Sequence, residues 1–182
     1  MLPPTLKVCG RTLLPFCLRH RVALEVIRSP IIIPDRPITV ADVMFAARVL
    51  STHDLKDTRK PSTLSEKALA AWYTLRPDKL AAEILKFKIY FEAQSLWPRF
   101  WEKDEKANSS GIPWQLTVIA GLVRNGVPLD QAWSMPESEA VWLYIANCKA
   151  EGAKLDLITD EEFEAMEREK ASNPKPETNT RN

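Results

Sequence analysis

Ser65-Glu-Lys-Ala-Leu-Ala-Ala-Trp-Tyr-Thr-Leu75, followed by Arg76-Pro77, decides the fold class. The stretch is built mostly from good helix formers and contains no glycine or proline, so it reads as a helix. Pro77 ends that helix, because the residue before a proline is pushed out of the helical region. It also opens the next one, since a first-turn proline gives up no hydrogen bond. In the second helix Leu80, Ile84, Phe87 and Phe91 line one face, and Leu85 and Ile89 widen it. Pro98 kinks or ends this helix for want of an N–H. Two helices joined by one punctuating proline set an all-α pattern, and the rest of the chain repeats it.

Upstream, Thr39 followed by Asp42 has the spacing of a capping box. Val40, Val43, Ala47 and Leu50 then follow the three-four spacing of a buried stripe. A helix over 16–28 places Leu18, Val22 and Val26 one turn apart, and Ser29 to Pro34 reads as an extended link between two prolines. Residues 51–63 read as a loop. The opening, Thr5 to Leu14, reads as two short strands about Cys9-Gly10, a hairpin too small to stand without the helices.

Downstream, a polar linker over 102–111 separates residues 1–101 from a C-terminal helical region, 112–170. Pro113 suits a first turn, with Gly126 as the stop. Pro128 starts a brief helix through Trp133, and Ser134 is the expected cap of a helix that ends at Gly152. Thr159 caps an acidic helix from Asp160 to about Lys170. Residues 171–182 have almost no apolar groups and are expected to be disordered. The expected fold is therefore mainly α, a bundle of six to seven short helices with a small N-terminal β-hairpin and a disordered tail.

At 182 residues the chain is long enough for a real core. Its net charge of +1 supplies no field to drive it onto nucleic acid or an anionic membrane. The charge is uneven: residues 1–36 hold six Lys/Arg against two acids, and residues 151–182 hold nine acids against five bases, so either end has a charge with which to meet a partner. No stretch approaches the ~20 apolar residues of a membrane-spanning helix. Three cysteines give no disulfide framework and fit a reducing, cytoplasmic setting.

Chemistry-bearing motifs are absent. No serine sits in a nucleophile elbow, and neither the P-loop nor the dinucleotide fingerprint occurs. Cys9, Cys17, His20, His53 and Cys148 are too scattered in sequence for a zinc ligand set. Cys17 is expected in the core and His20 at the surface, with no metal, cofactor or catalytic residue. Residues 115–133 resemble a helix-turn-helix, but the second helix offers Leu129, Asp130, Gln131, Ala132 and Trp133, a poor set for reading base edges. Nucleic acid is not the expected partner.

Six tryptophans are the most informative feature. Most are expected in the core. Trp97, Phe100 and Trp101, beside Pro98 and the polar linker, are the candidates for a partner-binding patch, with Trp133 and Met135 as a second patch.

The segment Gly126-Val-Pro-Leu-Asp-Gln-Ala-Trp-Ser-Met-Pro-Glu-Ser-Glu-Ala140 resembles one found in small helical proteins of tailed phages and prophages. The pattern is similar to that of tail assembly chaperones encoded beside the tape-measure protein. Leu24 to Pro30 and the Thr39 helix start also look like tail accessory proteins of this kind. The resemblance implies a non-enzymatic protein of the bacterial host cytoplasm that binds tape-measure and other tail proteins during tail assembly, and self-association fits it as well. It does not account for the N-terminal hairpin or the 102–111 linker. A DNA-associated regulator using residues 115–133 and a structural tail component are the alternatives.

Overall fold

Thr39 and Asp42 close the capping box that their spacing implies: the Asp42 carboxylate accepts from the Thr39 N–H at 2.9 Å and Thr39 Oγ1 accepts from the Asp42 N–H at 3.3 Å. In this computed structural model the described residues are 6–94, 97–100, 112–153, 155, 157–158 and 160–172. They form, in order, β1 (Lys7–Val8), β2 (Arg11–Thr12), α1 (Leu18–Val26), α2 (Val40–Leu50), a 3-10 turn at Leu55–Arg59, α3 (Leu64–Leu75), α4 (Pro77–Gln94), β3 (Arg99–Phe100), α5 (Trp114–Arg124), α6 (Leu129–Ser134), α7 (Glu137–Ala150), β4 (Leu157–Ile158) and α8 (Asp160–Ser172). The protein is thus mainly helical, with an N-terminal antiparallel hairpin in which Lys7 faces Thr12 and Val8 faces Arg11. The expected linker, 102–111, and the tail from residue 173 lie outside the described residues.

Two apolar clusters fill the interior. The first joins Val8 and Leu13 of the hairpin region, Leu24 of α1, Val43, Ala47 and Leu50 of α2, Tyr73 of α3, and Phe87 and Tyr90 of α4. The second joins Leu18 of α1 with Val118, Ile119 and Leu122 of α5, Ala132 of α6, Met135, and Ala140 of α7. Helix α1 belongs to both, so it is the spine on which the C-terminal helices are mounted. Helices α5 and α7 approach closely at Gly121, where an added Cβ would stand 2.4 Å from the Tyr144 ring.

The hairpin is fastened to α4 through backbone groups. Cys9 and Gly10 both have positive φ, 51° and 76°, as a two-residue hairpin turn of the primed type requires. The Glu83 carboxylate accepts from the Cys9 N–H at 2.8 Å, Tyr90 donates its hydroxyl to the Leu14 carbonyl at 2.5 Å, and Gln94 accepts from the Phe16 N–H at 2.5 Å.

Several sequence expectations are corrected. Val26 is 77% exposed, because α1 is buried on Leu18, His20 and Leu24 and not on a Val22/Val26 stripe. Residues 29–33 turn back on Ser29, whose carbonyl accepts from the N–H groups of Ile32 and Ile33, so this link is not extended. Leu85 and Ile89 are about half exposed and leave the core face of α4. Ser134 ends α6, and Pro136 is the residue that caps α7. A two-residue β3–β4 pairing, Arg99 with Ile158 and Phe100 with Leu157, had no signal in the sequence.

Glu66 ties three elements together. Its carboxylate meets Arg11 at 2.6 Å and Arg48 at 2.5 Å and accepts the Thr63 N–H at 2.9 Å. These bonds, Arg11 first, hold its pKa down to about 2 from 4.5. A depressed acid contributes stability above its unfolded pKa and loses it as pH falls toward the folded value. Stability is therefore expected to fall by about 1–2 kcal/mol between pH 4.5 and 2 through this group, after discounting for solvent screening. Glu66→Gln should flatten that part of a urea-denaturation pH profile; an unchanged slope would remove Glu66 as its source.

Candidate functional site

The segment 126–140 forms the joint between α1 and the C-terminal helices. Cys17 and Pro136 make an isolated antiparallel bridge, and the Glu137 N–H donates to the Phe16 carbonyl at 2.7 Å. Glu137, only 3% exposed, receives both Nε and Nη2 of Arg21, the latter at 2.9 Å. Burial pushes its carboxyl above the usual range, and the Arg21 guanidinium pulls it back part of the way. That guanidinium also lies over the rings of Phe16 and Trp97, each at 5.2 Å, and of Trp114 at 5.7 Å. Trp97 and Trp114 meet edge to face at 5.0 Å.

These contacts decide where the sequence-expected patch residues stand. Trp97 is half-buried and committed to Trp114 and Arg21. Phe100 pairs through its backbone with Leu157, and Trp101 lies outside the described residues. Met135 is corrected from surface to core: it is 8% exposed and packs in the second cluster, since the turn before α7 points it at α1 and α5. Trp133 is half-buried and borders an open groove of about 460 Å³ with Arg19, Val22, Leu55, Lys56 and Arg59.

A second constellation was not legible in the sequence. His20, expected at the surface, is fully buried. Its Nε2 lies 2.8 Å from the Thr52 carbonyl, which fixes the N–H there and leaves the lone pair on Nδ1. Nδ1 accepts a long bond, 3.4 Å, from the Cys17 N–H. The His53 ring stacks on it at 5.6 Å with 6° between the planes, and His53 Nδ1 is a buried side-chain atom with no hydrogen-bond partner. One ligand atom each from Cys17, His20 and His53 lie within 4.8 Å of one another. His53 is distant from Cys17 and His20 in sequence and close to them in space, because packing of α1 against α2 closes the 33-residue gap between the histidines. Cys9 and Cys148 are not part of the group.

Burial lowers the His20 pKa to about 4 and raises that of Cys17, so both are neutral near pH 7. A protonated, fully buried thiol is a poor nucleophile. The arrangement does not present an attacking group to a substrate.

Apolar surface is left open elsewhere. Helix α3 buries Tyr73 and packs Leu69 on the first cluster, while Leu64, Ala68, Ala71, Trp72 and Leu75 face solvent. Leu64 and Leu75 are 85% and 79% exposed. On α4, Leu85 and Ile89 are likewise exposed, and on α7 so are Trp142 and Leu143. Among the described residues no helix is long and apolar enough to cross a membrane. No family model, curated protein or solved structure matches the chain.

Proposed function

We propose that this is a non-enzymatic binding protein that covers the apolar stripe of a long helical partner, acting as a tail assembly chaperone does for the tape-measure protein of a tailed phage. The observation that carries the reading is the second stripe of α3. Leu64, Ala68, Ala71, Trp72 and Leu75 recur at intervals of three and four residues on the side away from the core. Such spacing matches the seam of a helix pair, and the two alanines let a partner helix come close. Exposed apolar stripes of this kind are interaction surfaces in soluble proteins. A tape-measure chain has the complementary need, since its own repeated apolar stripe aggregates until it is covered. Helix-against-helix docking meets both needs.

The resemblance of residues 126–140 supports the finer part of the reading, with the host cytoplasm as the place of action. In the structure this segment mounts α7 on α1 and is a joint, so the resemblance bears on the scaffold and the α3 stripe on the partner. The test is co-expression with a tape-measure protein of a tailed phage. The expected result is a rise in the tape-measure protein left in the supernatant after centrifugation. An equal amount with and without the chain would overturn the reading.

A further inference from the structure

Cys17, His20 and His53 stand at the junction of α1 with the residues after α2, away from the α3 stripe. Several of their features are those of an assembled ligand set. The donors are one sulfur and two imidazole nitrogens, the combination that borderline-soft divalent ions favour. His20 donates its Nε2–H to the Thr52 carbonyl, and a metal-ligating histidine is held by such a bond to a backbone oxygen through its second nitrogen. That bond leaves Nδ1 as the coordinating atom, which accepts the 3.4 Å contact from the Cys17 N–H. His53 Nδ1 is the one buried side-chain nitrogen or oxygen among the described residues that has no hydrogen-bond partner. A buried orphan acceptor or donor is costly in a folded protein and calls for an explanation. An ion held by both imidazoles and the sulfur supplies one.

Distances fit a set that closes on loading. Ligands about 2.0–2.3 Å from one zinc stand about 3.3–3.8 Å from each other in a tetrahedron. Here one ligand atom from each residue lies within 4.8 Å of the others, so closure needs a movement of about an ångström together with a turn of the His53 ring out of its parallel stack on His20, because an imidazole lone pair lies in the plane of its ring. The His53 ring is half-buried and has no hydrogen bond at Nδ1 to oppose that turn.

We propose that Cys17 Sγ, His20 Nδ1 and His53 Nδ1 bind one zinc-like divalent transition-metal ion, with water in the fourth position. Binding breaks the Cys17 S–H bond, forms the S–metal bond and releases one proton to solvent. The thiolate offsets one of the ion's two charges. Arg19, which donates to the His53 carbonyl at 2.6 Å, adds a positive charge nearby and places this site below an all-cysteine centre in affinity. Nothing in this inference depends on the identity of the partner protein.

Cobalt(II) is the probe, because a cobalt–thiolate bond gives a near-ultraviolet charge-transfer band and tetrahedral cobalt gives intense visible bands. The full-length apo protein is expected to saturate at one cobalt per chain, to show both signatures, and to lose them when zinc is added. Cys17→Ser should abolish the charge-transfer band, whereas Cys9→Ser and Cys148→Ser should leave it intact. His53→Ala, at a half-buried position, should keep the circular dichroism spectrum of the apo protein and weaken cobalt binding more than about tenfold. Absence of the band in the wild-type protein would overturn the proposal. So would a band that survives Cys17→Ser and disappears in Cys148→Ser, or full affinity in a folded His53→Ala protein.

Discussion

Arg21→Ala is expected to lower the unfolding free energy by about 3–5 kcal/mol, enough to unfold much of a small domain of ordinary stability. Glu137 is 3% exposed and would be left as a buried carboxylate without its cation. The loss also empties the space between Phe16, Trp97 and Trp114, which the guanidinium now covers. Charge alone does not make this pair valuable. Replacing both partners with apolar residues of similar size is often neutral, so Arg21→Met with Glu137→Leu should recover most of the stability. Urea denaturation followed by tryptophan fluorescence and circular dichroism checks both variants. A loss below about 1 kcal/mol for Arg21→Ala would mean that the pair behaves as an exposed ion pair and does not secure α7 to α1.

Trp72→Gln together with Leu75→Gln is expected to weaken capture of the proposed helical partner by more than about thirtyfold, the effect of losing a central aromatic anchor worth about 2 kcal/mol. Stability should change little, because Leu75 is 79% exposed and Trp72 is 43% exposed. Trp97→Ala provides the contrast. Its ring packs on Trp114 and Arg21, so that substitution should act mainly through stability. If the Trp97 variant stays fully stable and loses binding while the α3 variant binds normally, the contact surface lies at Trp97 and not on α3.

Helix existence was legible wherever caps and apolar spacing agreed. Thr39 and Asp42 mark the start of α2 in sequence and in structure, and Pro77 both stops α3 and opens α4. Thr63 and Glu66 form a second capping box with the same signature, readable in the sequence, so α3 starts at Leu64 and not at Ser65. Which face is buried was less legible. Counting only apolar residues favoured Val22 and Val26 on α1, whereas the buried face includes His20, satisfied by the Thr52 carbonyl. A polar residue with a partner packs like an apolar one, and sequence periodicity does not see the partner. The same count placed Leu85 and Ile89 on one broad core face of α4, although they belong to a second stripe that the fold leaves open. Met135 shows the reverse error, an apolar residue in a turn that is drawn into the core by neighbours distant in sequence.

The candidate metal cluster was out of reach for the same reason. His53 lies beyond the end of α2, where composition indicates only a polar loop, and its relation to Cys17 and His20 exists only after α1 and α2 have packed. Long-range pairing also explains why β3 and β4, two residues each, escaped notice.

The most direct measurement of the proposed function is the mass of the complex. Purified chain is mixed with a soluble helical fragment of a tailed-phage tape-measure protein, and the mixture is run on size-exclusion chromatography with light scattering. A co-eluting species whose mass is the sum of the two chains is the expected result, and it should disappear with Trp72→Gln and Leu75→Gln. Two separate peaks at every concentration tested would contradict the proposal that this protein acts as a tail assembly chaperone.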